Sequence, residues 1–204
     1  MLSTKIIIQF FTVFLCVSLW TKLSAQTNDS TETSTRFFMP ALQMGYIHHN
    51  SDIVSEGLVI QTSLEYRAKN NLLFRINYDD FSGRIDVNDA IGNQYTAKVP
   101  LSELLGGIGY RLRFNKHNLF ALIQSGVRFY ELPEIVTLNG VITINQSGEQ
   151  TVPIRYTIGY EYEFMKNVFF NIEAFVGHFA KEKDYWSNDK PFFGTTIGLS
   201  TTLF

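Results

Sequence analysis

Six arginines and six carboxylates share one set of alternating positions in this chain. They are Glu65, Arg67, Arg75, Asp79, Glu103, Arg111, Arg113, Arg128, Arg155, Glu161, Glu163 and Glu173. Paired carboxylates suit general acid–base chemistry, because acids sharing one site push a carboxyl pKa upward. Glu161 and Glu163 project to the same side of an extended segment, and Glu173 falls on a neighbouring one. Six arginines in the same set favour structural ion pairing over catalysis. The mature chain offers no thiol: the one cysteine is Cys16, near the N-terminus.

What positions these charges is a period of two, the mark of strands with unlike faces. The segment from Val152 to Phe164 shows it best. Val152, Ile154, Tyr156, Ile158, Tyr160, Tyr162 and Phe164 make one face. Pro153, Arg155, Thr157, Gly159, Glu161 and Glu163 make the other. Leu104 to Phe114, Leu72 to Tyr78, Leu58 to Tyr66 and Phe170 to Val176 alternate in the same way. Three further segments are less regular: Phe38 to His48, Leu119 to Tyr130 and Phe192 to Phe204. Most reach the roughly 9–11 residues with which a tilted strand crosses a bilayer.

The whole chain has 204 residues, 45% hydrophobic and 18% charged, and a formal charge of −2. That length fits one domain, the apolar content excludes a disordered chain, and the charge balance excludes a nucleic-acid-binding field. Residues 1–25 read as a signal peptide: Lys5, an apolar run from Ile6 to Trp20, then Ser24-Ala25. The run is shorter than the about 20 residues of a spanning helix. Leu15 stands before Cys16 where a lipidation signal wants a small residue. Cleavage after Ala25 would leave 179 residues with a charge of −4 and no cysteine. Residues 26–36 form a polar lead, and 37–204 the folded domain.

The connections alternate in length. Lys69-Asn70, Asn115 to Asn118 and Met165 to Asn167 are short. His49 to Glu56, Gly83 to Leu101, Glu131 to Gln150 and Ala180 to Pro191 are long. Eight strands, short turns at one end and long loops at the other make the plan of an outer-membrane barrel. Tyr66, Tyr110, Phe114, Tyr162 and Phe164 lie on apolar faces near the short turns, as a membrane girdle would. Tyr46, Tyr78, Phe129, Tyr156 and Phe193 recur near the long loops. A soluble sandwich or lipocalin also alternates, but it would show neither girdles nor this loop asymmetry.

Export, eight alternating strands and a terminal Phe204 resemble the small eight-stranded outer-membrane β-barrel family of Gram-negative bacteria, the OmpX- and PorT-like barrels. The resemblance runs from about Phe37 to Phe204 and is one of pattern, without a catalytic motif. It implies an all-β, eight-stranded antiparallel transmembrane barrel with short periplasmic turns and long extracellular loops. It also implies a last strand read by the barrel-insertion machinery through Phe204. Counting back from Phe204, however, Thr202, Ser200 and Gly198 occupy the alternate positions, while Leu203, Leu199 and Ile197 are one step out. Either a bulge restores the phase or the signal is weak.

An eight-stranded barrel is just wide enough for side chains to fill it, so the twelve charges are expected to pair as a plug. A narrow ion path is the alternative. The function expected is structural or interactive, through the extracellular loops, with lipid bilayer, lipopolysaccharide and an envelope or extracellular protein as partners and no nucleic acid. No cofactor or metal is expected. Neighbouring strand residues point opposite ways, which separates His48 from His49 as metal ligands. His49-Asn50-Ser51 has the His-x-Ser spacing of lipid A deacylases, so an enzyme acting on lipid A is a second alternative. His178, followed by Phe179-Ala180, lacks the serine. His117 and the others read as interfacial or loop histidines. Among the loops, Ile135 to Ile144 carries the strongest hairpin signal, Asn139-Gly140. Its arms are expected to run about four residues, too short to add barrel strands. Asp184-Tyr185-Trp186 is a second contact candidate.

Overall fold

The fold comes from a computed structural model, which describes residues 36–39, 43–49, 57–68, 70–88, 94–138, 141–180 and 190–202. Ten strands follow one another: β1 (Arg36–Met39), β2 (Gln43–His49), β3 (Gly57–Arg67), β4 (Leu72–Asn88), β5 (Gln94–Phe114), β6 (His117–Leu138), β7 (Val141–Thr151), β8 (Pro153–Met165), β9 (Val168–Phe179) and β10 (Phe192–Thr202). All pairings are antiparallel. β10 pairs with β9 on one side and with β1 and β2 on the other, and β1 and β2 both pair with β3. The sheet therefore closes on itself. β1 and β2 form one interrupted stave, and β7 and β8 another, so the ten segments make an eight-stranded barrel. Closure leaves the barrel wall without an edge.

Alternation drives this closure. Odd and even positions demand different surroundings, and a ring supplies them as an inside and an outside. Asn71, Asn115 and Asn167 take left-handed φ values of 66°, 55° and 64° at the short connections. Asparagine tolerates that region, which a tight hairpin requires. A register shift between Glu163 and Met165 adjoins the last of these turns.

Two of the expected long loops are instead β-structure. β4 and β5 stay paired from Leu72↔Tyr110 to Asn88↔Gln94, through most of the stretch assigned to a loop between Gly83 and Leu101. The hairpin expected to have four-residue arms pairs from Arg128↔Thr151 to Leu138↔Val141. It adds no stave to the barrel; its strands are the barrel's own, continued upward. β6, at 22 residues and about 3.3 Å per residue, is roughly 70 Å long. A bilayer core crossed at 45° needs about 40 Å. Two ribbons thus rise past the rim, 82–88 with 94–100 and 131–138 with 141–150. They part where the β5–β6 ladder ends at Leu101↔Tyr130. The next residue on β5 is Pro100, which has no N–H to donate.

β10 keeps one register with β9 from Phe192↔Gly177 to Thr201↔Val168. No bulge restores the phase there, and Thr202 faces inward. Phe204 itself lies outside the described residues, as do residues 1–35, the connections 50–56 and 181–189, and with them Asn50-Ser51 and Asp184-Tyr185-Trp186.

Candidate functional site: the charged lumen and the two rims

The barrel is polar inside and apolar outside. Leu58 is 72% exposed, and Ile76, Leu104, Ile108, Ile158 and Ile197 are each at least half exposed on the outer wall. Inside, Glu103 and Arg128 are both 0% exposed. A soluble protein distributes these residues the other way round.

The inward charges form two groups. Toward the short turns, Glu65 accepts from Arg75 at 2.7 Å and Arg111 at 2.5 Å, and also pairs with Arg67. Glu161 binds Arg67 at 3.0 Å, together with Arg111 and Asn118. Glu173 takes Arg75 at 2.6 Å and the Gln43 amide at 3.3 Å. Toward the ribbons, Arg155 pairs with Asp79 and reaches Glu103 at 3.6 Å, and Glu103 also holds Arg128. Shared carboxylates let each buried guanidinium meet an opposite charge, which offsets desolvation that an unpaired ion could not survive.

Aromatic rings pack the spaces between these ions. Arg75 and Arg111 lie over the Phe120 ring at 4.6 and 4.9 Å. Arg155 lies over Phe175 at 4.8 Å. Arg128 is boxed by Phe81, Phe179 and Phe192 at 5.0, 4.7 and 4.5 Å. Each of three rings sits on a glycine directly opposite in register: Phe120 on Gly159, Phe192 on Gly177, Phe175 on Gly194. A Cβ at any of these glycines would strike the ring. The repeating unit is therefore glycine, ring and guanidinium. Glycine opposite phenylalanine on the inward parity is the signal in the sequence, but it emerges only once the register is known.

Ten of the twelve charges named from the sequence join these two groups. Arg113 and Glu163 do not. They pair with each other at 3.3 Å at the short-turn rim, where the Arg113 side chain is 58% exposed. The strands have by then run past the closed lumen. Tyr66, Tyr110, Phe114, Tyr162 and Phe164 all lie on the outer face near that rim, with Phe114 and Phe164 the most exposed. His49 points inward, between Phe81 and Phe192 at ring distances of 5.9 Å, while His48 packs at a tilt against Phe193 outside, at 4.8 Å. His178 stacks on Tyr156 at 6.0 Å on the outer face. Inward alternation thus splits the histidine pair as strand geometry requires.

Fold and polarity together define a closed antiparallel barrel with its charges inside and its apolar residues outside. No known family's sequence profile matches the chain, and no curated protein matches it. Solved structures of similar fold do exist. Neisserial surface protein A (NspA) superposes with a TM-score of 0.57 at 14% identity, covering 81% of this chain and 96% of that one. OprG, an outer membrane protein from Pseudomonas aeruginosa, gives 0.56 at 9% identity, covering 84% and 97%. Ail, the attachment invasion locus protein of Yersinia pestis, gives 0.53 at 9%, covering 83% and 100%. The chain has the fold of the small eight-stranded outer-membrane barrels.

Proposed function

We propose that this protein is an integral outer-membrane barrel, exported with removal of residues 1–25, whose lumen is a structural plug and whose ribbons meet a partner outside the cell. The observation that carries this reading is the inverted polarity: exposed leucines and isoleucines around the wall, ion pairs within it. In lipid each backbone group must be satisfied internally, and a closed ring of paired strands does that. The barrel-insertion machinery and lipopolysaccharide are the envelope partners this reading entails.

The role is non-enzymatic and interactive. The described ribbon residues carry Asp86, Glu131, Glu134 and Glu149 against Arg84 and Lys98. That balance suits a neutral or cationic partner surface. Ail has been crystallised with sucrose octasulfate, a heparin analogue. A polyanion of that kind should bind this chain weakly, since net negative ribbons repel it. The ion-paired lumen argues against a channel, and His49 of the His-x-Ser spacing points into the barrel between Phe81 and Phe192, away from the outer wall where a lipid A substrate would lie.

The test is direct. The unheated protein should migrate differently from the boiled one on SDS gels and should resist carbonate extraction. Release from membranes by carbonate without detergent would remove the membrane assignment. Cross-linking from cysteines placed at Thr143 or Gln146 in intact cells should capture an extracellular partner, and N-terminal sequencing should begin at Gln26.

A further inference from the structure

At the short-turn rim, the outer face of the barrel carries a built cluster. His117 Nδ1 lies 2.7 Å from the Tyr160 hydroxyl, and the His117 ring packs against Tyr162 at 5.1 Å. In the tautomer where the Tyr160 hydroxyl donates to Nδ1, the ring proton sits on Nε2 and points away from Tyr160. The two adjacent turns each bring a lysine beside a left-handed asparagine: Asn115-Lys116 and Lys166-Asn167. The backbone N–H of Glu163 donates to the Lys116 carbonyl at 2.8 Å, tying the first turn to the strand that enters the second. The neighbouring carboxylate, Glu163, is engaged by Arg113 and by the Asn167 N–H, each at 3.3 Å. Both lysines are exposed, and the wall beside them presents Phe114, Leu119 and Phe164, each more than two-fifths exposed. The other end mixes signs: Asp80 and Glu131 stand exposed there along with Arg84 and Lys98.

We infer that this patch is a binding site for one anionic phospholipid of the periplasmic leaflet. The Nε2–H of His117 and the ammonium groups of Lys116 and Lys166 would hold the headgroup phosphate. The acyl chains would lie along Phe114, Leu119 and Phe164. The inference rests on the membrane-spanning reading above. Charge complementarity selects the occupant, because two ammonium groups and an N–H donor at headgroup level favour net negative lipid over zwitterionic lipid.

The experiment is native mass spectrometry of the full mature protein in detergent, with added phosphatidylglycerol or phosphatidylcholine of matched chains. The first bound phosphatidylglycerol should be retained about tenfold or more over phosphatidylcholine, since each lysine contributes roughly a factor of five near an anionic surface. The K116Q/K166Q protein should lose that preference, H117F should lose part of it, and K69Q, at the remaining short turn, should keep it. Equal retention of the two lipids, or a preference unchanged in K116Q/K166Q, would overturn the site. The same samples are run heated and unheated on gels. A heat-modifiable protein without lipid preference overturns this site alone, whereas one with neither property overturns the membrane reading as well.

Discussion

Arg128 sits in a box of three rings with Glu103 as its counter-ion. Replacing it by leucine leaves two buried carboxylates, Glu103 and Asp79, to share Arg155 alone, and breaking a buried pair in this way costs about 3–5 kcal/mol. The R128L protein should therefore lose its heat-modifiable band at markedly lower urea. The double variant R128L/E103L should recover most of that loss, because two apolar side chains replace the pair. Gly159 offers a test of the ring layers. Gly159→Val would drive a side chain into Phe120 and displace the support of Arg75 and Arg111. The expected loss is about 1–3 kcal/mol, from overpacking, in the same urea titration. Both effects belong to single residues, since neither changes the strand order.

The ribbons can be altered without touching the plug. Beyond Leu101↔Tyr130 the two hairpins have no ladder between them, so each should come away separately. Replacing residues 134–145 by a two-residue Asn-Gly turn should leave the gel shift and urea midpoint within experimental error, while abolishing cross-linking to an extracellular partner. Loss of the gel shift would show that the ribbon helps hold the barrel. Pro100 controls where the ribbons part. Pro100→Val restores an N–H on the β5 edge, and hydrogen exchange should then show added protection near Glu131. The period-two pattern alone located the barrel strands. It did not locate the ribbons, because stretches rich in Gly, Asn and Pro read as loops whether or not a partner strand lies alongside. The hairpin expected around Asn139-Gly140, two residues outside the described ones, has its arms paired up to Leu138↔Val141. The length of its arms depended on eleven cross-strand pairs, which local propensity does not encode.

For the molecule as a whole, the outer wall provides the sharpest contrast with a soluble barrel. Ile123→Arg puts a charge on the exposed belt, midway along β6 between His117 at the short-turn rim and Phe129 near the ribbons. In lipid this should cost about 2–4 kcal/mol near the midplane, whereas on a water-facing wall it would be neutral or would aid solubility. Urea titration in liposomes reads the difference. On the proposed plug reading, planar-bilayer recordings should show no discrete conductance steps. Resolved unitary steps would mean that the plug opens.

A mean hydropathy of −0.00 hid this architecture, since it averages a lipid-facing set of positions with a charged one. Alternation separates the two sets, so the eight staves and the inward parity of the buried charges were legible in the sequence. Inside and outside are a matter of parity, and parity is local. Which guanidinium meets which carboxylate was not legible. Arg75 and Glu173 are 98 residues apart in the chain and 2.6 Å apart in the barrel. Their meeting depends on how far each strand is staggered when the sheet closes. The same stagger places Phe120 on Gly159, carries Arg113 and Glu163 out to the rim, and brings His117 to Tyr160. Register is a property of the closed ring, so only the tertiary structure could decide it.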